Sequence, residues 1–343
     1  MTLTNLDYIE LKKELEAKGL LNYTPVYYFF IFLTYVLVLA VCFWVIFYFN
    51  NWLATILISI PIAFVGMQFG YLGHDAGHRS ISKNEFLNEL IGHFSHSLFI
   101  GLSFNYWKFV HNQHHAEPNH PELDPDIKED KPFSLTKLKV NQRKGLARVI
   151  TRYQSYLLFP AFLLLMFTKR IKSLKHIMAG KKYTMMDIIS ITTHVLLFFT
   201  VIPYFIGFLK AITLYLIVSM QIGFYFGFAF IPNHVGMTIL TGNEKISFIE
   251  KQVLTSRNIK SGWFLNLISG GLNYQIEHHL FPHISRKNLP KAKTIVKEFC
   301  ARKNLPYKDS SLTEAWKDVF AYLDDIGKSA RRFPIFKVAD DMV

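Results

Sequence analysis

Fourteen histidines occur in 343 residues, and they are far from evenly spread. Three clusters stand out: His74-Asp-Ala-Gly-His78, His111-Asn-Gln-His114-His115 and Gln275-Ile-Glu-His278-His279. Spacings of three and four put side chains on one face of a helix, so each cluster can aim two or three imidazoles at a single point. His234, in Ile231-Pro-Asn-His-Val-Gly, adds an eighth ring. Eight imidazoles are too many for one ion and suit two. Imidazole binds zinc, copper, iron and nickel, so ligand type alone does not choose the metal. The two cysteines, Cys42 and Cys300, lie far from every cluster, which argues against structural zinc and iron–sulfur centres. The His-Glu-x-x-His zinc protease pattern is absent, because Asp75 follows His74. A pair of redox-active irons fits better, since oxygen activation needs electrons that zinc cannot supply.

Four apolar segments must position these rings: Val26–Phe49, Trp52–Tyr71, Ile188–Leu209 and Ala211–Ile231. Each reaches the roughly 20 residues a helix needs to cross a bilayer. Joints at Asn50-Asn51 and at Lys210 predict two antiparallel hairpins. Only 18% of residues are charged, 51% are hydrophobic, and mean hydropathy is +0.20, which disfavours an ordinary cytosolic enzyme. Net charge is nevertheless +13, and 37 of the 38 Lys and Arg residues fall on one side of the expected hairpins. The positive-inside rule assigns that side to the cytoplasm, with both termini and all the histidine clusters, so nucleic acid is not needed to explain the charge. Two cysteines supply no disulfide framework, and the first 25 residues lack a secretory leader's layout. Phe86–Phe104 and Tyr156–Phe167 read as interfacial or half-buried helices under the spans, and the tail from Pro290 as a packed cytoplasmic cap. With no internal repeat, residues 1–343 form one domain: a segment 1–25, a hairpin 26–71, a cytoplasmic part 72–187, a hairpin 188–231 and a cytoplasmic part 232–343.

The three boxes, in this order beside two hairpins, resemble the membrane fatty acid desaturases, whose pattern is His-x3/4-His, His-x2/3-His-His and His/Gln-x2/3-His-His. The resemblance runs from about Tyr71 to Leu289. Gln275 opening the third box, with Asp124-Pro-Asp126 after the second, resembles the front-end branch, which inserts a double bond between an existing one and the carboxyl end. The resemblance implies an all-α integral membrane protein with four transmembrane helices in two hairpins and a cytoplasmic di-iron cap. It implies His74, His78, His111, His114, His115, His234, His278 and His279 as iron ligands. Asn233 would orient a bound water or support the ligands, and Gln275 would fill the non-liganding position of its box. Molecular oxygen would be the co-substrate, and a fatty acyl lipid or acyl-CoA the substrate. The sequence has no His-Pro-Gly-Gly haem motif, so electrons are expected from a separate protein, a ferredoxin or a b-type cytochrome with its reductase.

Other residues have competing readings. His93 and His96, at i and i+3, are decoys expected to pack, and so is His194. Asp75, Asp124, Asp126 and Glu277 are acceptors that could fix ligand tautomers. Phe224, Tyr225, Phe226, Phe228 and Phe230 suit an acyl channel wall or plain packing. Lys131, Lys137, Lys139, Arg143, Lys144, Arg148 and Arg152 form a basic surface for anionic lipid or an acidic electron carrier. The rival reactions are hydroxylation or ketolation on the same scaffold. The non-enzymatic rival, a metal transporter or sensor, should carry ionisable groups along a path within the spans.

Overall fold

A computed structural model describes residues 3–128, 132–138, 140–180, 184–241, 244–260 and 262–331. Lys131 and Lys139 of the expected basic surface lie outside them. The described chain is helical apart from turns and one parallel pair of two-residue strands, Asn258–Ile259 and Asp309–Ser310. Among the described residues four helices are long and apolar enough to cross a membrane: Pro25–Phe49, Trp52–Gly77, Met185–Ile206 and Phe208–His234.

The first joint is built from the two asparagines. Asn50 takes a left-handed conformation that ends the first long helix, and the Asn51 side chain accepts from the Ala54 N–H to start the second. The second joint is not at Lys210. Gly207, with φ of 84°, separates the third and fourth long helices, because only glycine adopts that conformation without cost. Lys210 lies one turn into the fourth helix and donates to the Asn50 carbonyl (2.8 Å) and side-chain oxygen (2.6 Å), tying the two joints together.

The second and fourth long helices also outrun their apolar segments. Tyr71–Gly77 has no proline and stays helical through Gly73, so the second carries His74 in its own last turn, and the fourth carries His234. The first box and the eighth imidazole are thus rigid extensions of the apolar helices.

Residues 86–104 follow the half-buried alternative, though not as one helix. Glu85–Gly92 leads into a π-helix, His93–Ile100, that packs on the second and third long helices. Gly66, Gly70 and Gly73 open a groove on the second helix that Phe99, Ile100 and His96 fill. Two of the π-helix's polar residues are partnered internally: buried Asp187 accepts from Ser97 Oγ (2.9 Å) and the Phe104 N–H (2.9 Å), and sits 3.4 Å from His93 Nδ1. Residues 156–167 are likewise two helices, Gln154–Phe162 and Leu165–Met178, with Phe162 against Gly223 and Gly227 of the fourth long helix.

The C-terminal helices do pack as a cap. Leu289–Arg302 shares an apolar cluster with Asn5–Ala17, and Leu312–Arg331 joins another with Phe162 and Val235. Two members of the expected basic surface turn inward. Arg143 donates to the Pro132 and Phe133 carbonyls, and Arg148 to that of Ala330.

Candidate metal centre

All eight imidazoles converge, in two groups. Ring nitrogens of His74, His78, His111, His115 and His278 lie within 4.8 Å of one another, and those of His114, His234 and His279 form a second set. In the first, Nε2 atoms stand 3.1 Å apart between His74 and His278, 2.9 Å between His78 and His111, 3.0 Å between His111 and His115, and 3.0 Å between His115 and His278.

Acceptors elsewhere commit the other ring nitrogens. Asp75 Oδ1 lies 3.2 Å from His74 Nδ1, Asp124 Oδ2 2.9 Å from His114 Nδ1, the Thr255 carbonyl 3.0 Å from His234 Nδ1, and Gln252 Oε1 2.9 Å from His279 Nδ1. A proton held on Nδ1 leaves a lone pair on Nε2, so each of these four rings offers Nε2 as a donor atom. His279 Nε2 is buried with no hydrogen-bond partner. Converging lone pairs repel unless a cation sits among them, so the donor set fits bound metal. Burial, then repulsion from neighbouring rings, holds His111, His115, His278 and His279 well below the ordinary histidine range. Neutral imidazole is the form that ligates metal.

The two predicted non-histidine residues meet each other. Gln275 Nε2 donates to His234 Nε2 (2.9 Å), and Gln275 Oε1 accepts from Asn233 Nδ2 (3.1 Å). Gln275 therefore touches the very nitrogen that a metal beside His234 would use. Asn233 also donates to the Leu272 carbonyl (3.1 Å), its Oδ1 is buried without a partner, and it lines a cavity of about 20 Å³. That is room for about one water.

Of the expected acceptors, Asp75 and Asp124 serve as such, whereas Glu277 does not. Glu277 accepts from Asn258 Nδ2 (2.7 Å) and Tyr307 O–H (2.6 Å), anchoring the third box to the strand pair. His93 and His96 belong to neither imidazole group. His194 packs instead, with Nδ1 2.9 Å from the Leu98 carbonyl and Nε2 3.3 Å from Tyr215 O–H. The aromatic run of the fourth helix is mostly packed: Phe226 stacks on Phe230 and Phe228 on Trp316. A larger apolar groove, about 700 Å³, lies along the start of the first long helix, between Tyr27, Phe30, Ile31, Tyr35 and Leu267.

Gln252, Thr255 and Arg286 were not foreseen. Gln252 carried no sequence signal, since its role depends on bridging His279 and the His115 carbonyl across the fold. Thr255 acts through a backbone carbonyl, which any residue type supplies.

An all-helical protein with span-length apolar helices and two facing imidazole groups has the makings of a membrane-embedded histidine-ligated metalloprotein. Residues 50–311 match the family described as Fatty acid desaturase, and the chain belongs to that family. It is 30% identical over 318 residues to a mouse fatty acid desaturase 2-like protein, covering 91% of this chain and 65% of that protein. It is 28% identical over 341 residues to the acyl-lipid (9-3)-desaturase of Physcomitrium patens, covering 94% and 63%. Human fatty acid desaturase 3 is 28% identical over 327 residues, covering 94% and 72%. The chain thus spans just under two thirds of the length of the first two.

Proposed function

We propose that this chain is an oxygen-dependent fatty acyl desaturase of the front-end type, working with two irons in one domain over residues 1–343. The convergence of eight imidazoles into a group of five and a group of three carries the reading. His74, His78, His111, His115 and His278 would hold one iron, and His114, His234 and His279 the other. When bound, the irons supply the redox chemistry that couples reduction of O2 to oxidation of a C–C bond.

The balance is fixed by the product. One O2, two protons and two electrons from a separate ferredoxin or b-type cytochrome accept the two hydrogens removed from adjacent methylenes, giving one alkene and two waters. This chain's residues hold and orient. Asp75, Asp124, Gln252 and the Thr255 carbonyl fix ring tautomers, and the hydrogen-bonded Asn233–Gln275 pair, which touches His234, would support that ligand or orient a bound water. The substrate is an acyl chain on a lipid or on coenzyme A, held in register so that one bond faces the irons.

The four long helices form two hairpins, with termini and metal centre on the cytoplasmic side. Contacts of Tyr28 with Asp75 and Tyr35 with Gln68 support antiparallel packing of the first pair, and the bias of basic residues supports the orientation. Expression in a host fed defined mono- and diunsaturated fatty acids, with double bonds located by mass spectrometry, tests the reaction. New double bonds on the carboxyl side of existing ones are expected. New hydroxyl or keto groups without alkenes would shift the reading to the rival reactions, and no lipid product despite bound metal would shift it to transport or sensing.

A further inference from the structure

Arg286 lies six residues beyond the end of the third-box helix, in the turn before Leu289–Arg302, and belongs to no histidine box. It is nonetheless buried, 8% exposed, and reaches into the first box. Its Nε donates to Asp75 Oδ2 at 2.9 Å, and Nη2 lies 2.8 Å from the same oxygen, an ion-pair contact whose N–H is not aimed along a hydrogen bond. Tyr28 O–H donates to Oδ2 as well, at 3.0 Å, and accepts from the Arg286 backbone N–H at 3.0 Å. Three groups thus grip one carboxylate oxygen, leaving Oδ1 turned to His74 Nδ1.

The backbone makes room for this reach. Gly271 has φ of 83°, and a Cβ there would stand 2.6 Å from Arg286 Cγ, so the side chain passes where only glycine allows it. Among the described residues no arginine grips the carboxylate of the second imidazole group: His114 is held by Asp124, whose oxygens otherwise accept the Asn119 and Asp126 N–H groups, and Arg257 reaches only the Pro232 and Val235 carbonyls there and Asp318.

We propose that Arg286 is a positioning residue for one metal only: through Asp75 it fixes the His74 ring, so that its loss weakens the five-imidazole site and spares the three-imidazole site. The proposal rests on the two-metal reading above. Removing a buried guanidinium leaves its carboxylate partner unpaired and disturbs the fold in any case, so activity alone cannot distinguish positioning from support. Site-resolved metal affinity can.

The test uses the full chain in detergent, loaded with ⁵⁷Fe(II) without oxygen. Iron per chain is followed against a competing chelator, and Mössbauer spectra report which site empties. Wild type should hold about two irons. Arg286→Gln should show one site weakened about 10- to 100-fold, the range for removing a group that supports a metal ligand, with the other unchanged. Arg286→Lys, which keeps the charge and the fold but not the two-nitrogen grip, should fall between. The double variant Asp75→Asn/Arg286→Gln should be no weaker than Asp75→Asn alone, because Arg286 acts through that carboxylate.

Equal weakening of both sites, wild-type affinity at both in Arg286→Gln or Arg286→Lys, or additive losses in the double variant would each overturn the proposal while leaving the two-metal reading intact. Wild-type protein holding no iron would overturn that reading and this proposal together.

Discussion

Gly73, the residue before His74, packs against the π-helix so closely that a single methyl should be felt at the metal centre. A Cβ built there stands 1.9 Å from His96 Nδ1, 2.4 Å from its Cε1 and 3.1 Å from Ser95 Cβ. Relief to ordinary contact requires the His96 ring to retreat by about 1.5 Å, given optimal separations near 3.5 Å. The ring has nowhere to go: it is 3% exposed and faces Trp107, 4.8 Å between ring centres, and Phe104, 5.7 Å. Overpacking of this kind costs about 1–3 kcal/mol, and the tightness of the contact puts Gly73→Ala near about 3 kcal/mol. Gly66→Ala is the calibrated contrast, because its nearest neighbour is Ile222 Cδ1 at 2.7 Å, the free end of a side chain. That variant should cost about 1 kcal/mol. Melting of the full chain in detergent with excess chelator measures both, and Gly73→Ala should melt well below Gly66→Ala. Since Trp107 stacks on His111 at 4.5 Å, iron binding should suffer in the first variant as well. Removing the obstacle should help: Gly73→Ala/His96→Ala should melt close to His96→Ala alone. Wild-type melting in Gly73→Ala, or a double variant that loses the full sum, would refute the reasoning.

Other outcomes follow from the same geometry. Asp124→Asn keeps too few acceptors for its three N–H donors, so iron at the three-imidazole group should weaken about 10- to 100-fold in chelator titrations. Glu277→Gln should cost about 1–3 kcal/mol in the same melts through its buried partners, with two irons per chain retained by elemental analysis, although Glu277 lies inside a histidine box. His93→Ala and His96→Ala should each leave iron stoichiometry unchanged, separating these histidines from the eight that converge. Chelation of wild type should release iron in two steps, the three-imidazole group emptying first, and should lower the melting temperature at each step as binding to the folded state is withdrawn.

The parts of the site legible in the sequence are those fixed by helical period. His74 and His78, like His111 and His115, are four apart and do meet in one group, but His114 leaves its box for His234, and His279 parts from His278, so spacing gave each cluster's approach and not its division between two groups. His234 was legible because it follows an apolar segment by three residues. The supports were only half legible. Asp75 and Asp124 are acidic and adjacent to boxes, yet Glu277 has the same credentials and faces away, towards Tyr307. What decides between them is which element packs on the box, and that is a long-range property. Gly207 lost to Lys210 as the expected second joint because hydropathy sees a charge more readily than a backbone angle. The π-helix was hidden because the partner of His93 and Ser97 is Asp187, about ninety residues away in a different helix.

The supports also make the two halves of the centre unequal. In the five-imidazole group, His74 is steadied by the Asp75 side chain, which is itself paired with Arg286 and Tyr28. In the three-imidazole group a carboxylate, a backbone carbonyl and a carboxamide each hold one ring. There the Gln275 amide already occupies the metal-facing nitrogen of His234, so a metal must displace that hydrogen bond before it gains the ligand. Fewer imidazoles and a competing donor make this the more weakly held and more open position. With three imidazoles against five, the second group would leave an added metal more room for an exogenous ligand than the first. The asymmetry follows from the identity of residue 275, since a histidine there would add a donor to the group that glutamine now restrains.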